Sequence, residues 1–417
     1  MGEPLPTDPG RQRLHRSGIL AELLAARGVD VVWWTSAFNH FDKTFRCQGT
    51  TWSRVDDHLQ ICCLASRPYL RNVSIARIRA NRDIARAFEG AVRGQRAPDV
   101  ILASYPIPEL ALSGARYAAA HGIPAVVDVR DLWPDVWHDA LPRPLRRFGR
   151  LGALPFYWQS RRTLQAFQGI CGITDEFVQW GLDRGGRLRG KWDRAFPLAY
   201  VDGQYPHSER QEAQKFWTSI FDGRPTARLR LCFFGNIAME RARIDVMLEA
   251  VRRLPQRVRD EMRLILCGRG EDFEAVRAAA EGMPQIVLPG WVTGPQIEAL
   301  AAQSHAGLLP YPSTPDFTRS LPNKAVEYLA YGLPILTSLK GPVSQLIDAE
   351  HCGLLYRETD PDDLAHRIEE LFDAPARIEQ LSTNARRVFR DRFQAAQVYG
   401  RFADMLTELA SAGRASA

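Results

Sequence analysis

Several features that would assign a chain to a familiar class are missing from this 417-residue sequence. No apolar run approaches the roughly 18 to 20 residues that a membrane-spanning helix needs. The first residues, MGEPLPTDPGRQR, lack the basic, apolar and small-residue order of a secretion signal. The seven cysteines form no CxxC pair and lie mostly in apolar stretches, which indicates buried free thiols rather than disulfides or a zinc site. We therefore expect a cytoplasmic protein.

Familiar catalytic signatures are also missing. The sequence contains no GxSxG, HExxH or P-loop pattern. The acidic run at 360–363, DPDD, is typical of a helix start, so no pair of acids follows a strand where it would hold a divalent metal. We expect neither a metal nor another cofactor.

What is present indicates a globular protein of more than one domain. Apolar residues make up 45% and charged residues 24% of the chain, which argues against long disorder or a fibrous architecture. The length exceeds what one core comfortably supports. We predict an N-terminal domain over 1–205 and a C-terminal domain over 206–395. The rest, 396–417, is predicted to be a helix that packs back toward the first domain.

Apolar runs bounded by turn residues alternate with helical stretches in both halves, a pattern typical of parallel sheets wrapped by helices. Each half is therefore predicted to be a doubly wound α/β domain. Because ligands bind beyond the carboxyl ends of such strands, two facing domains would line one central cleft. The chain start is loop-like, so the strand expected before the first helix is either missing or supplied by another part of the chain. A misassigned start or a truncation would explain a missing strand. The predicted strands are 29–36, 99–104, 123–129, 169–174 and 194–200, then 229–235, 262–268, 285–291, 305–311, 333–338 and 352–357.

The stretch SLPNKAVEYLAYGLPIL, residues 320–336, places one acid, Glu327, in an otherwise ordinary helix and strand. With Ser320 as N-cap and Pro322 in the first turn, the helix start would offer free backbone N–H groups. These groups and the Lys324 charge would form a phosphate site. Glu327 lies one turn further along, within reach of a sugar hydroxyl such as that of a ribose. The alternative is a solvent-facing glutamate.

Other candidates follow neighbouring strands of the second half. Gly235 and Asn236 turn the chain after its first strand, and Arg241 and Arg243 come next. Arginine forks match phosphate oxygens, although at least one of the two is expected to be a plain surface charge. Trp291 would stack on a base or belong to the core. The remaining donor-side candidates are Gly268, Gly270, Val292, Leu321 and Asn323, together with Ser320.

The first half offers candidates for a second substrate. In VVDVRDLWPDVWHDAL, residues 126–141, a strand ends near Val129 and is followed by Arg130 and Asp131. Arg130 would hold a phosphate or sugar hydroxyls, and Asp131 would pair with it, position an acceptor or only cap a helix. The other acceptor-side candidates follow two further strand positions: Arg11, His40 and Lys43.

Residues 141–167 carry six arginines, several aromatic residues and no acid. Basic groups interleaved with interfacial aromatics suit an anionic membrane surface. The alternative is a solvated basic helix face. Nucleic acid is not expected, because no binding motif accompanies the charge.

Three stretches, SLPNKAVEYLAYGLPIL, FFGNI with its following helix, and VRDLWPDVW, resemble family 4 of the retaining glycosyltransferases. This family adopts the GT-B fold, two Rossmann-like domains around a cleft. The nearest pattern is that of bacterial enzymes for O-antigen, capsule or exopolysaccharide. The resemblance implies hexosyl or N-acetylhexosaminyl transfer from a nucleotide sugar, expected to be UDP-linked, to a lipid-linked saccharide. Such an enzyme would work in the cytoplasm, on the inner face of the membrane.

The resemblance also implies roles for individual residues. Glu327 would bind the ribose hydroxyls, and Lys324 with the 320–324 backbone would form the phosphate loop. Arg241 or Arg243 stands where the family has a diphosphate-binding lysine. Two positions depart from the pattern: Arg319 replaces the first of two glutamates, and Arg130 replaces a histidine. An epimerase or phosphorylase of the same fold, or a noncatalytic partner subunit, remains as an alternative.

Overall fold

The computed structural model describes residues 2–9, 13–71, 74–135, 152–203, 205–224 and 226–416. The chain divides into two compact units. Unit 1 comprises Met1–Pro197 and Ala395–Ala417, and unit 2 comprises Leu198–Gln394. The division therefore falls at Pro197, where the sequence suggested 205, and the C-terminal helix belongs to unit 1.

The helices and strands alternate through most of both units. The first part of unit 1 contains α1 (Arg16–Ala26), β1 (Val31–Ser36), β2 (Thr51–Arg54), β3 (Leu59–Leu64), α2 (Ile75–Ala91), β4 (Ile101–Tyr105), α3 (Pro108–Ala120), β5 (Ala125–Val129), α4 (Leu154–Gln165), β6 (Gly169–Gly172), α5 (Asp175–Gly185) and β7 (Arg194–Ala195). Unit 2 contains α6 (His207–Phe221), β8 (Leu229–Phe234), α7 (Ile244–Arg253), α8 (Gln256–Glu261), β9 (Met262–Cys267), α9 (Phe273–Ala279), β10 (Ile286–Gly290), α10 (Gly294–Ala301), β11 (Ala306–Leu309), α11 (Pro315–Thr318), α12 (Asn323–Ala330), β12 (Ile335–Thr337), α13 (Pro342–Glu350), β13 (Gly353–Leu355), α14 (Pro361–Asp373) and α15 (Pro375–Arg392). The last helix, α16 (Ala395–Ser416), returns to unit 1. None of the helices in the described ranges is both long and apolar enough to span a membrane.

Unit 2 is built on one six-stranded parallel sheet with the strand order β10-β9-β8-β11-β12-β13. Every strand predicted in this half is present, shortened by up to two residues at its ends. The central strands are continuous apolar runs because helices cover both faces. Phe233 packs into the core beside α7, and Phe234 packs into the opposite core with Tyr328 of α12. The strand order reverses between β8 and β11, which makes this point the topological switch.

The described residues of unit 1 hold two sheets where one was expected. One contains β4-β5-β6-β7, all parallel, and the other contains β1-β3-β2, with β2 antiparallel to β3. The strands at 51–54 and 59–64 were not predicted, and the last strand is far shorter than expected. The edge strands β1 and β4 are mostly half-buried, and Val32 is 43% exposed. By contrast, all five residues of β5 are buried.

A buried ion pair joins α1 to β5. Arg16 donates to both carboxylate oxygens of Asp128, at 2.8 Å each, and its third nitrogen donates to the Phe196 carbonyl at 2.6 Å. Burial alone would raise the pKa of Asp128, but Arg16 and Arg130 outweigh it and lower this pKa to about 2. Removing one partner of such a pair typically costs about 3 to 5 kcal/mol. The pair therefore fixes α1 against the sheet.

The C-terminal helix α16 packs on α1 within unit 1. Its Phe402 ring stacks on Phe196 with centroids 4.2 Å apart and planes inclined by 5°. The Arg16 guanidinium lies 5.1 Å from the Phe402 centroid, which adds a cation–π contact. Helix α16 thus covers the buried ion pair.

Candidate functional site

Glycines hold the carboxyl ends of three neighbouring strands of unit 2 together. The Gly235 N–H donates to the Cys267 carbonyl at 2.9 Å, and the Gly268 N–H donates to the Gly290 carbonyl at 2.7 Å. Gly268 has a φ of +140°, and a Cβ added to it would lie 1.8 Å from the Gly235 carbonyl oxygen. Only glycine fits such a close approach. The ends of β8, β9 and β10 consequently lie side by side, with an irregularity in β10 between Val287 and Gly290.

The other predicted donor-side residues of these loops differ in exposure. A Cβ added to Gly270 would lie 2.4 Å from Asn236 Oδ1, so Gly270 lets the loops after β8 and β9 pack together. Val292 is buried in the core. Trp291 is 74% exposed, so the alternative that it belongs to the core is wrong. Their contacts with a donor remain predictions.

The Lys324 side chain lies across Gly235. A Cβ added to Gly235 would stand 2.6 Å from Lys324 Cε and 3.3 Å from Nζ. The lysine charge also lowers the pKa of Tyr311, just beyond β11, against the rise that burial causes. Its ammonium group therefore lies between the ends of β8 and β11, at the topological switch where open α/β sheets bind their ligands.

Tyr311 is a functional candidate that the sequence interpretation missed. Burial raises its pKa, Lys324 and Arg241 oppose the rise, and Glu327 adds to it. Arg241 also lies near this phenol, since its guanidinium carbon is 5.8 Å from the centroid of the Phe317 ring. The Tyr311 ring stacks on Phe317 with centroids 4.5 Å apart. Its position as the last residue of the predicted strand 305–311, at the end where ligands bind, was the signal that could have found it.

The two candidate arginines have different surroundings. Arg243 donates two hydrogen bonds to Asp245, at 3.0 and 2.7 Å, which raises its pKa. Arg241 is exposed, and its guanidinium carbon lies 5.8 Å from the Phe317 ring centroid. Within the described ranges it forms no ion pair with a carboxylate. Arg241 is therefore the better candidate for a diphosphate.

Glu327 is buried in α12 at 9% exposure, so the alternative of a solvent-facing glutamate is wrong. Its charge helps to raise the pKa of Tyr331, after burial and Tyr200. The Tyr331 and Tyr200 hydroxyl oxygens are 2.5 Å apart. The carboxylate thus lies among tyrosines, one turn behind the helix start.

The start of α12 differs from the prediction. The N-cap is Pro322 rather than Ser320, because the short helix α11 precedes it and Ser320 closes that helix with a hydrogen bond to the Phe317 carbonyl. Leu321 is buried and Asn323 is exposed. In the part of the chain that the structure describes, no side chain caps α12. The first N–H groups of the helix therefore have no intrahelical acceptor.

The Arg130 guanidinium forms hydrogen bonds with side chains of unit 1. Its guanidinium donates to Asp128 at 2.5 Å, to Ser17 at 2.7 Å and to Glu3. These contacts extend the buried Arg16–Asp128 network to Arg130. Roles for Arg130 and Asp131 in catalysis remain predictions.

His40 and Lys43 both contact Tyr69. The His40 Nδ1 atom is 2.6 Å from the Tyr69 hydroxyl, and Lys43 Nζ lies 4.8 Å from the ring centroid. Burial, with the Arg77 and Lys43 charges, lowers the pKa of His40 to about 4. The imidazole is therefore neutral at pH 7. Arg11 lies outside the described residues, as does the part of the basic segment before residue 152.

The chain resembles known proteins in one sequence region and over its whole fold. Residues 228–374 match the model of a family described as glycosyl transferases group 1. No curated protein sequence matches the chain. Sucrose-phosphate synthase from Thermosynechococcus elongatus is 16% identical with a TM-score of 0.73, over 98% of both chains. WaaG, a glycosyltransferase involved in lipopolysaccharide biosynthesis, is 14% identical with a TM-score of 0.63, over 93% of this chain and 94% of its own.

A third similar structure is HepE from Anabaena in complex with UDP-glucose. It is 14% identical with a TM-score of 0.57, over 81% of this chain and 84% of its own. The described elements together with these likenesses confirm the predicted fold class, α/β with two Rossmann-like units of the GT-B type.

The contrast between Arg241 and Arg243 gives a test. Replacing Arg241 by Met should weaken UDP binding about tenfold or more, because a hydrogen bond to a charged group is worth about 1.5 to 3 kcal/mol. Arg243→Met is the matched control and should change the affinity by less than about threefold. Isothermal titration with UDP measures both. The reverse ranking would assign the diphosphate to Arg243.

Proposed function

We propose that this protein is a retaining, metal-independent glycosyltransferase. It moves a hexosyl or N-acetylhexosaminyl group from a UDP-linked donor to a lipid-linked saccharide in bacterial surface polysaccharide synthesis. The observation that carries the proposal is the position of the Lys324 side chain across Gly235, at the topological switch and beside the uncapped start of α12. The match of residues 228–374 to a glycosyltransferase family supports it.

Unit 2 offers a binding group for each part of the UDP-linked donor. The diphosphate binds Lys324, Arg241 and the first N–H groups of α12, because positive charge and free donors gather there. Glu327 lies one helical turn behind and accepts hydrogen bonds from the ribose hydroxyls. The exposed Trp291 ring offers a stacking surface to the base.

The reaction follows from this binding mode. The acceptor oxygen bonds to the anomeric carbon on the face that the diphosphate leaves. The bond to the leaving phosphate oxygen breaks, and that oxygen takes the acceptor proton, so the configuration is retained and UDP is released. The chain stabilises the charge on the diphosphate through Lys324 and Arg241. Losing one such donor typically costs about 2.7 to 4 kcal/mol, or about 100- to 1,000-fold in rate.

Glu327→Gln tests the ribose contact. We expect UDP to bind about tenfold more weakly, because a charged acceptor of two hydroxyl hydrogen bonds is lost. Glu281→Gln, at an exposed position of unit 2, is the matched control and should bind UDP like the wild type. Unaltered affinity in the Glu327 variant would remove this residue from the site.

Product analysis distinguishes transfer from epimerisation. The wild-type protein is incubated with UDP-glucose or UDP-N-acetylglucosamine, with and without a polyprenyl diphosphate saccharide, and the products are followed by NMR. UDP and a glycoside with retained configuration should appear only with the acceptor. A new UDP-sugar formed from the donor alone would favour an epimerase, and an intact donor under every condition would favour a noncatalytic subunit.

Helix α4 supports contact with an anionic membrane on the inner face. Leu154 is 55% and Trp158 is 63% exposed, and the Arg162 guanidinium carbon lies 5.3 Å from the Trp158 ring centroid. Exposed apolar groups beside arginine match the polar and apolar layers of a lipid interface. This helix is the described part of the basic segment 141–167.

The membrane proposal predicts a loss of vesicle binding. The double change of Leu154 and Trp158 to Ala should lower partitioning onto phosphatidylglycerol vesicles about tenfold or more, because burying each side chain is worth about 1.5 to 3 kcal/mol. Leu188→Ala, at a leucine 93% exposed beside other arginines, is the matched control. Cosedimentation at low salt measures the binding. Wild-type protein that stays in the supernatant would contradict the proposal.

A further inference from the structure

Two strands of unit 1 each have one open edge. Among the described strands, β1 pairs only with β3, and β4 pairs only with β5. On the other side of both strands, the backbone N–H and C=O groups therefore bond to no strand in the described ranges. Such a row of backbone groups is a template for pairing with a further strand.

The sequences of β1 and β4 are typical of internal strands. They read VVWWTS and ILASY, without a charged residue or a proline. Natural edge strands are usually protected by charge, by proline or by being very short. Three other edge strands of this chain have such protection, since β2 contains Arg54, β10 contains Pro289 and β7 has only two residues. The open edges of β1 and β4 have none of it.

The apolar side chains along both open edges are incompletely buried. Val31 and Trp33 of β1 are half-buried, and Val32 is 43% exposed. Ile101 and Leu102 of β4 are half-buried as well. A parallel strand between two neighbours is normally buried along its whole length, as all five residues of β5 are. A further strand beside β1 and β4 would complete the burial of both.

Helices on both faces join the two open edges into one layer. Helix α1 packs on β1 and β3, and its Arg16 side chain bonds to Asp128 of β5. On the opposite face, α2 packs on β3 and on α3, which covers β4. The Phe88 ring of α2 lies 5.0 Å from Trp34 of β1 and 6.3 Å from Tyr117 of α3, between ring centroids. The same helices thus cover the open edges of β1 and β4.

Residues 3–5 lie across the carboxyl ends of these edges. Leu5 packs against Ala37, the residue after β1. The Glu3 carbonyl accepts a hydrogen bond from Arg46 at 2.8 Å, and the Arg46 N–H donates to the Ala37 carbonyl at 2.8 Å. The Glu3 carboxylate accepts from Arg130, directly after β5. A strand that led into residue 2 from between the open edges would therefore run parallel to β1 and β4.

We propose that the open edges of β1 and β4 hold one further parallel strand, formed by the stretch of this protein on the amino side of residue 2. The strand is apolar and about five residues long, the usual length of a strand. It ends at residue 2, and together with α1 and β1 it forms a β-α-β unit. The two sheets of unit 1 then become one. This inference concerns the fold of unit 1 and does not depend on the proposed function.

Extending the chain tests the inference. The 417-residue chain is compared with the same chain preceded by the residues that its gene encodes directly before residue 1. Hydrogen exchange read by mass spectrometry measures the backbone protection. Exchange in peptides that cover 31–36 and 101–105 should slow about tenfold or more in the extended protein, because both open edges gain hydrogen bonds. Peptides that cover 306–309 of unit 2 are the internal control and should exchange at the same rate in both proteins.

A matched variant tests whether pairing causes the protection. Replacing the central residue of the extension by Pro should abolish the gain, because proline cannot donate to a strand ladder. The inference is overturned if exchange is equal with and without the extension, or if the Pro variant is protected as well. A stop codon in frame or a run of charged residues directly before residue 1 would also overturn it. If the 417-residue chain forms a dimer in which 31–36 and 101–105 are already protected, a second copy fills the edges and the named occupant is wrong.

Discussion

The contact between the Lys324 side chain and Gly235 is the constraint on which the unit 2 site depends. Because residue 235 has no side chain, the lysine can cross the end of β8 and reach Tyr311 beyond β11. The same tyrosine is influenced by Arg241 and Glu327. Two positive charges and one carboxylate therefore lie near the topological switch, and among the described residues no carboxylate forms a salt bridge with Arg241. An anion with hydroxyl groups behind it matches this arrangement.

The charged groups of the two units differ in how they are paired. In unit 1, Arg16 and Asp128 neutralise each other and Arg130 completes the network, so these charges stabilise the fold rather than await a ligand. In unit 2, Arg243 is paired with Asp245, whereas Arg241 lies over an aromatic ring. A charged group that is paired with a neighbouring side chain thus stabilises the fold, whereas one without such an ion pair is a candidate for binding.

The sequence predicted the sheet of unit 2 well because central parallel strands are continuous apolar runs, as in LRLCFFG at 229–235. It missed β2, which has only four residues, and also β3, an apolar run of six residues like β1. Ser320 was wrongly predicted to cap α12, since a short helix that ends just before it takes its hydrogen bond. The Arg130 contacts depend on Glu3 and Asp128, which tertiary structure alone brings together.

Other site residues depended on packing that no local pattern reveals. Tyr311 ends a predicted strand, but its contact with Lys324 requires the fold of unit 2.

The most direct test of the central contact is the affinity for UDP after Gly235→Ala. The added Cβ would lie 2.6 Å from Lys324 Cε, so the lysine must move away from the site. The account predicts at least about tenfold weaker binding, while Gly90→Ala, where the new Cβ meets open space, binds like the wild type. A folded Gly235→Ala protein that binds UDP with unchanged affinity would contradict the account.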